Sequence, residues 1–333
     1  MSRPDTVYVV GGSNCLMTNG WVAQWSEIAP ELAVTNLAVG GSTSLMATYR
    51  LLSGEIPDGA TVIWEYSLNE QTHWAVGQSL ESLMDNLAWF LELAARRDIR
   101  VLPLIFWNQP ELRADARRGY RDAMFALIEA RGLHAVDMRP VLDEFASKRG
   151  RMPGFFYSDP QHYKLGTGFP RRIATAVNNR LGQARVPVSD PCFDGSTLHL
   201  LRPDRAPDER FENRVIKADL YAVDEETTIR ADGKVICAYV IASEGGQPMT
   251  MRTDGRKAGH FSMQFPAEGR ALKRLMKHVV LLGGRREDAA AAQEFSVRRK
   301  RGWGRVVAQT SFARHDAGKT GEREALIGIL VER

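Results

Sequence analysis

Over its first 185 residues the chain alternates short β-branched apolar runs with segments of helical period, and few architectures accommodate that alternation. The runs are Thr6–Val10, Val34–Val39, Thr61–Tyr66, Val101–Phe106 and His134–Met138. Pro103 is awkward inside the fourth if that strand is central, because proline donates no ladder hydrogen bond. Leu80–Arg97 and Glu111–Ala130 read as helices; in the first, Leu80, Leu83, Met84, Leu87, Leu91 and Ala94 share one face. Strands alternating with helices predict a parallel sheet covered on both sides, with ligands bound at the carboxyl ends of its strands. Three of the loops leaving those ends are rich in Gly, Ser and Asn.

The pattern changes after Leu181. The segment GQARVPVSDP reads as a linker, and beyond it short runs recur: Thr197–Leu201, Val215–Val223, Lys234–Ala242, His260–Phe265, Lys277–Leu282, Arg305–Phe312 and Ala325–Val331. Turn signals separate them, among them DGST, ADGK, EGGQP and TDGRKAG. Only Glu268–Lys277 and Asp288–Gln293 could be helical. The expectation is two domains, an α/β domain over 1–185 and an all-β, sandwich-like domain over 190–333. Charge divides the same way. The first 185 residues are neutral overall, whereas 256–305 hold thirteen Lys and Arg against four Asp and Glu.

The chain holds no apolar stretch near the ~18 residues of a membrane span, and its N-terminus reads as a strand instead of a signal peptide, so a cytoplasmic location is expected. Cys15, Cys192 and Cys237 have neither zinc-site nor disulfide spacing, which fits a reducing compartment. His73, His199, His260, His278 and His315 show no metal-ligand spacing, and no metal or other cofactor is expected. The run Arg298–Arg301 with Arg285 and Arg286 is basic. A solvated loop is the first reading of it, an anionic glycan or acidic lipid head group the second. Nucleic acid comes last, because Trp303 is its one interleaved aromatic and no nucleic-acid motif accompanies it.

Four elements carry the chemistry. Ser13 follows the first strand in Gly11-Gly12-Ser13-Asn14, where a sharp turn exposes a hydroxyl. Gly41 follows the second strand, and Asn69 follows the third in Tyr66-Ser67-Leu68-Asn69-Glu70. A backbone N–H at a glycine and an asparagine amide suit a developing oxyanion. In Asp159-Pro160-Gln161-His162 a carboxylate three residues before the imidazole can fix its tautomer, and such an imidazole is the natural base for a serine hydroxyl. Each also has a plain structural reading, as a turn, a cap or a surface histidine. Cys15 is a rival nucleophile with nothing beside it to lower its pKa. Trp107 and Asn108 follow the fourth strand on the same edge; they could bind a sugar ring or simply pack the loop.

Taken in order, the four elements resemble the SGNH (GDSL-type) hydrolase superfamily over residues about 5–183. The resemblance implies a three-layer α/β/α, flavodoxin-like domain with about five parallel strands. It implies a catalytic triad of Ser13, His162 and Asp159, and an oxyanion hole made by Ser13, Gly41 and Asn69. Two positions depart from the family pattern. Gly12 stands where the family often has Asp, and Ser67-Leu68-Asn69-Glu70 stands for Gly-x-Asn-Asp. The expected activity is that of a cofactor-free serine esterase removing short acyl groups, acetyl first, from a saccharide or related ester. An O-acyltransferase acting on polysaccharide and a non-catalytic glycan-binding or assembly protein are the alternatives. The expected partner is a small-molecule or saccharide ester, with no nucleic acid and no membrane span; the oligomeric state is left open.

Overall fold

A computed structural model describes residues 6–113, 118–223, 226–265, 273–301, 303–309, 316 and 324–333. The chain divides into two units. One comprises Met1–Ala75 with Leu83–Cys192, and the other Val76–Ser82 with Phe193–Arg333.

The first unit is built on five parallel strands: β1 (Thr6–Gly11), β2 (Ala33–Asn36), β3 (Thr61–Glu65), β4 (Arg100–Ile105) and β5 (Val136–Asp137), in the order β2-β1-β3-β4-β5. The helices between them are α1 (Trp21–Ile28), α2 (Ser44–Leu52), α3 (Ser67–Ala75), α4 (Leu80–Arg96, whose first turn belongs to the other unit), α5 (Gly119–Ala130), α6 (Met138–Lys148) and α7 (Phe169–Arg180). β3 is buried at every position and reads as TVIWE, as a strand covered on both faces should. Pro103 is tolerated because β4 pairs β3 through Arg100–Pro103 but pairs β5 only at Leu104 and Ile105. Its missing N–H falls before the second ladder begins.

The predicted linker is part of this unit. Val101 and Arg185 exchange backbone hydrogen bonds, and Glu92, buried on α4, accepts from Ser189 Oγ (2.7 Å), Asp190 N (3.0 Å), Arg96 Nε (2.8 Å) and Arg131 Nη1 (2.9 Å). Burial would raise the Glu92 carboxyl, but these donors hold it down at about 2.

In the second unit the pairings between named strands are antiparallel. Its strands are β6 (Leu198–Leu201), β7 (Glu209–Glu212), β8 (Lys217–Ala222), β9 (Thr227–Ser243), β10 (Met249–Thr253), β11 (Arg256–Phe261), β12 (Arg274–Val280), β13 (Ala292–Arg299) and β14 (Ala325–Glu332). The seventeen-residue β9 is the spine. Its first half pairs β13, its second half pairs β12, and β14 runs along its other edge. The two halves share one apolar core that includes Ile229, Val240, Met249, Phe295 and Ile329.

Two expectations are corrected here. The ADGK segment is no turn between separate strands; it lies inside β9. Asp232 has φ +49° there, the register against β13 shifts, and a Cβ on Gly233 would meet Glu332 O at 2.3 Å. Asp-Gly serves as a bulge that lets one strand bend across two partners. Asp288–Gln293 forms no α-helix, since Asp288 ends a short 3₁₀ turn and β13 begins at Ala292; of Glu268–Lys277, residues 268–272 lie outside the described residues and Arg274 onward is strand β12. The TDGRKAG segment does turn, with Asp254 (φ +48°) and Gly255 (φ +71°) between β10 and β11.

Lys277 is buried in this unit, its ammonium reaching Ser262 O and Gln264 O at 3.3 Å each. Burial pulls the amine down to about 7. The unfolded chain therefore binds the extra proton between pH 7 and about 10, and stability rises across that window. The gain is on the order of 4 kcal/mol over that range. Thermal melts from pH 6.5 to 10 check this: the upward slope seen for the natural chain should flatten in Lys277→Met.

Candidate active site

Ser13 leaves β1 at the opening of a short 3₁₀ turn, Ser13–Cys15, and is partly accessible. Its hydroxyl lies 2.7 Å from His162 Nε2. His162 Nδ1 faces both carboxylate oxygens of Asp159, at 2.9 and 2.8 Å. With Nδ1 donating to Asp159, Nε2 is left to accept from the serine hydroxyl. Asp159 Oδ1 also takes the backbone N–H groups of Gln161 (2.9 Å) and His162 (3.0 Å). Partial burial works against its charge, but those N–H groups and His162 prevail and hold the carboxyl below the ordinary aspartate range.

The histidine loop is a narrow hairpin. Tyr157 and Tyr163 pair across it, Ser158 N donates to His162 O at 2.9 Å, and Lys164 N donates to Phe156 O at 2.8 Å. Asn14 fastens this hairpin to the serine turn. Its Nδ2 donates to Gln161 O (2.9 Å) and its Oδ1 accepts from Tyr163 N (3.1 Å), so both ends of one buried amide set the spacing between Ser13 and His162. Sequence reasoning quoted Asn14 only as a turn residue. Its partners lie 147 and 149 positions away and leave no local signal.

The other two loops close on the same point. A Cβ on Gly40 would rest 3.4 Å from Ser13 Cβ, which puts the Gly40-Gly41 turn against the serine. Gly41 has φ +68°, a conformation that suits glycine. Helix α3 grips this turn through three side chains. Asn69 Nδ2 donates to Ser42 O at 2.9 Å, Glu70 Oε1 accepts from Ser44 N at 2.7 Å, and His73 Nε2 lies 3.2 Å from Gly41 O. His73, read from sequence as lacking ligand spacing, is a buried clamp on the glycine turn. The other oxygen of Glu70 accepts from Tyr120 Oη at 2.7 Å, and burial pushes this carboxyl up to about 7.

Gly12 is explained by the same packing. A Cβ there would meet Asn69 Nδ2 at 2.6 Å, so the asparagine amide occupies the space a larger residue would need. Gly12→Ala should therefore displace Asn69 and lower kcat for ester turnover by about 10²-fold, the scale of losing one oxyanion donor, with KM nearly constant. Steady-state kinetics beside the natural chain check this. Beneath the turn, Glu65 Oε2 accepts from Gly12 N (3.1 Å) and from Cys15 Sγ (3.2 Å), and burial raises this carboxyl to about 8. Burial and then the Glu65 charge push the Cys15 thiol well above its ordinary value, which argues against a thiolate there.

Trp107 and Asn108 do not form an open platform. Each is 7% exposed. The Trp107 indole N–H donates to Asp137 Oδ1 at 2.7 Å, Arg121 lies over its ring at 4.9 Å from the centroid, and Arg139 lies 6.0 Å away. Asn108 N–H donates to Glu111 Oε2 at 2.8 Å and its Nδ2 to Leu68 O at 3.3 Å, while its buried Oδ1 has no hydrogen-bond partner among the described residues. The loop packs around them because Asp137, on β5, reaches the indole from a distant part of the sequence. Among the described residues no three His, Cys, Asp or Glu are grouped to hold a metal, and no helix is long and apolar enough to cross a membrane.

No protein-family model matches the sequence, and no curated protein matches it. Solved structures do. The chain is similar to a two-domain esterase (CEX) active on acetylated mannans, with a TM-score of 0.62 at 13% identity over 98% of this chain and 91% of the esterase. The same esterase co-crystallised with mannopentaose gives a TM-score of 0.62 at 13% identity, covering 98% and 90%. The chain has the fold of that two-domain esterase, an α/β domain on a five-stranded parallel sheet followed by an all-β domain. That likeness extends through both units, so the all-β domain is part of the shared architecture. The strand order also explains why the sequence-distant loops meet: all three leave the carboxyl ends of β1, β2 and β3, which are adjacent in the sheet.

Proposed function

We propose that the protein is a serine esterase of the SGNH superfamily that removes short acyl groups, acetyl first, from a saccharide. The observation that carries this reading is the Ser13–His162–Asp159 relay, with contacts of 2.7 and 2.8 Å, placed where the glycine turn and Asn69 converge. His162 takes the hydroxyl proton as Ser13 Oγ attacks the ester carbonyl carbon. The C=O π pair moves to oxygen, and the resulting oxyanion is met by the N–H groups of Ser13 and Gly41 and the amide of Asn69. Collapse breaks the bond to the alkoxide, which leaves with the proton from His162. Water then loses a proton to the same imidazole, attacks the acyl-enzyme, and releases the acid and Ser13. Every residue named in this scheme comes from one chain.

A shared fold with an esterase of acetylated mannans supports a saccharide substrate, while the relay itself supports only acyl transfer. The separating experiment follows acetate release from acetylated mannan and acetylated xylan beside p-nitrophenyl esters of rising chain length. Turnover that falls with acyl length and acetate release from a polysaccharide are the expected results. Preference for long acyl chains, or no acetate from any saccharide, would overturn the substrate assignment.

A further inference from the structure

Helices α5 and α6 and the ends of β4 and β5 line an open-mouthed pocket of about 420 Å³, within the ~300–1,000 Å³ typical of small-ligand sites. It lies off the relay, and no step of the proposed mechanism uses it. Arg118, Arg121 and Arg139 line it together with Asp122, Asp137 and Asp143. Most of this charge is internally balanced. Arg121 is held by Glu111 through two bonds of 2.8 Å, Arg139 by Asp143 at 2.9 Å, and Asp137 accepts from Trp107 Nε1 and from Arg139 N. Three groups are left over. Arg121 Nη1 is buried with no hydrogen-bond partner among the described residues. Arg118 and Asp122 are exposed and have no side-chain partner among them.

A buried donor without an acceptor carries a desolvation cost that an incoming oxygen would relieve. An anion is a poor occupant, because three carboxylates face it. A cation meets three guanidinium groups. A neutral ligand whose oxygens both donate and accept suits a wall that alternates Arg and Asp, and a polyhydroxylated ring is the compact molecule of that kind. From the scheme above we infer that this cavity holds one ring of a neutral saccharide chain, with Arg121 Nη1 donating to a ring hydroxyl that donates onward to a carboxylate. β5 lies three strand steps from β1, so its carboxyl end, where Asp137 lines the pocket, lies ~14 Å across the sheet edge from the end of β1. A short oligosaccharide bridges that distance, and the cavity becomes a distal subsite that favours chains over single sugars.

This inference rests on the esterase reading only where it makes the ring part of the substrate, and binding tests it separately. Calorimetry with unacetylated mannopentaose and xylopentaose is the measurement, on the natural chain, on Arg118→Ala/Asp122→Ala at the exposed mouth, and on Arg121→Lys. The lysine keeps a charge for Glu111 while removing Nη1, and near-ultraviolet circular dichroism verifies its fold. Saturable binding of at least one oligosaccharide is expected, weakened about tenfold in each variant, with p-nitrophenyl acetate turnover unchanged in the mouth variant. Absence of binding to the natural chain overturns the proposal, as does an equal Kd in all three proteins, or binding of inorganic phosphate in place of sugar. Oligosaccharide binding without hydrolysis of any ester would sink the esterase reading and leave this one standing. Ester hydrolysis without oligosaccharide binding does the reverse.

Discussion

Ser13→Ala is expected to lower kcat on every accepted ester by about 10³-fold or more, the scale seen when a triad nucleophile is removed. The fold should survive. Ser13 is partly accessible, opens a short turn, and gives its hydroxyl to His162 alone among the hydrogen bonds described for it. Asn14 and the Tyr157–Tyr163 pairing still hold the hairpin when the hydroxyl is gone. A melting temperature within a few degrees of the natural chain, together with the lost turnover, separates a chemical role from a structural one. Near-full turnover would remove Ser13 from the mechanism.

Asn69→Ala should cost about 10²–10³-fold in kcat, because its amide would bond to charge that forms only in the transition state. The present structure uses that amide once, on Ser42 O at 2.9 Å, and an amide nitrogen has a second hydrogen to give. A merely structural asparagine would act through the Gly41 turn and raise KM as well. The kcat-against-KM split decides between them, and Gly12→Ala supplies a control that shifts Asn69 without deleting it. A defect confined to KM would make Asn69 a ground-state ligand.

The sheet and the site loops were legible because their signals are local. Gly and Asn follow three apolar runs, and a parallel sheet brings those ends together whatever the helices do. The Asp159–His162 spacing was legible for the same reason, since three residues of a turn suffice to bring carboxylate and imidazole together. What escaped depends on burial and on distant partners. Nothing local in the sequence marks Glu65 or Glu70, yet enclosure raises them to about 8 and about 7. For Trp107 the sequence leaves sugar binding and loop packing equally open, and the contacts from Asp137 and Arg121 are those of packing. The segment reads as a linker because its prolines are visible in sequence, whereas Glu92, the residue that ties it down, lies 97 and 98 positions from its partners Ser189 and Asp190. In β9 the Asp-Gly pair carries a turn signal that the long strand absorbs as a bulge. Local chemistry permits both outcomes, and pairing with β13 and β14 selects one.

Covalent labelling tests the central claim most directly. An ethyl fluorophosphonate should add one ethylphosphonyl group per chain, and peptide mapping should place it on Ser13, with fluoride as the leaving group and turnover lost in proportion. Ser13→Ala and His162→Ala should both resist labelling, the second because the hydroxyl loses its base. An adduct on Cys15 or any other residue, or full turnover in a chain fully labelled at Ser13, would contradict the account.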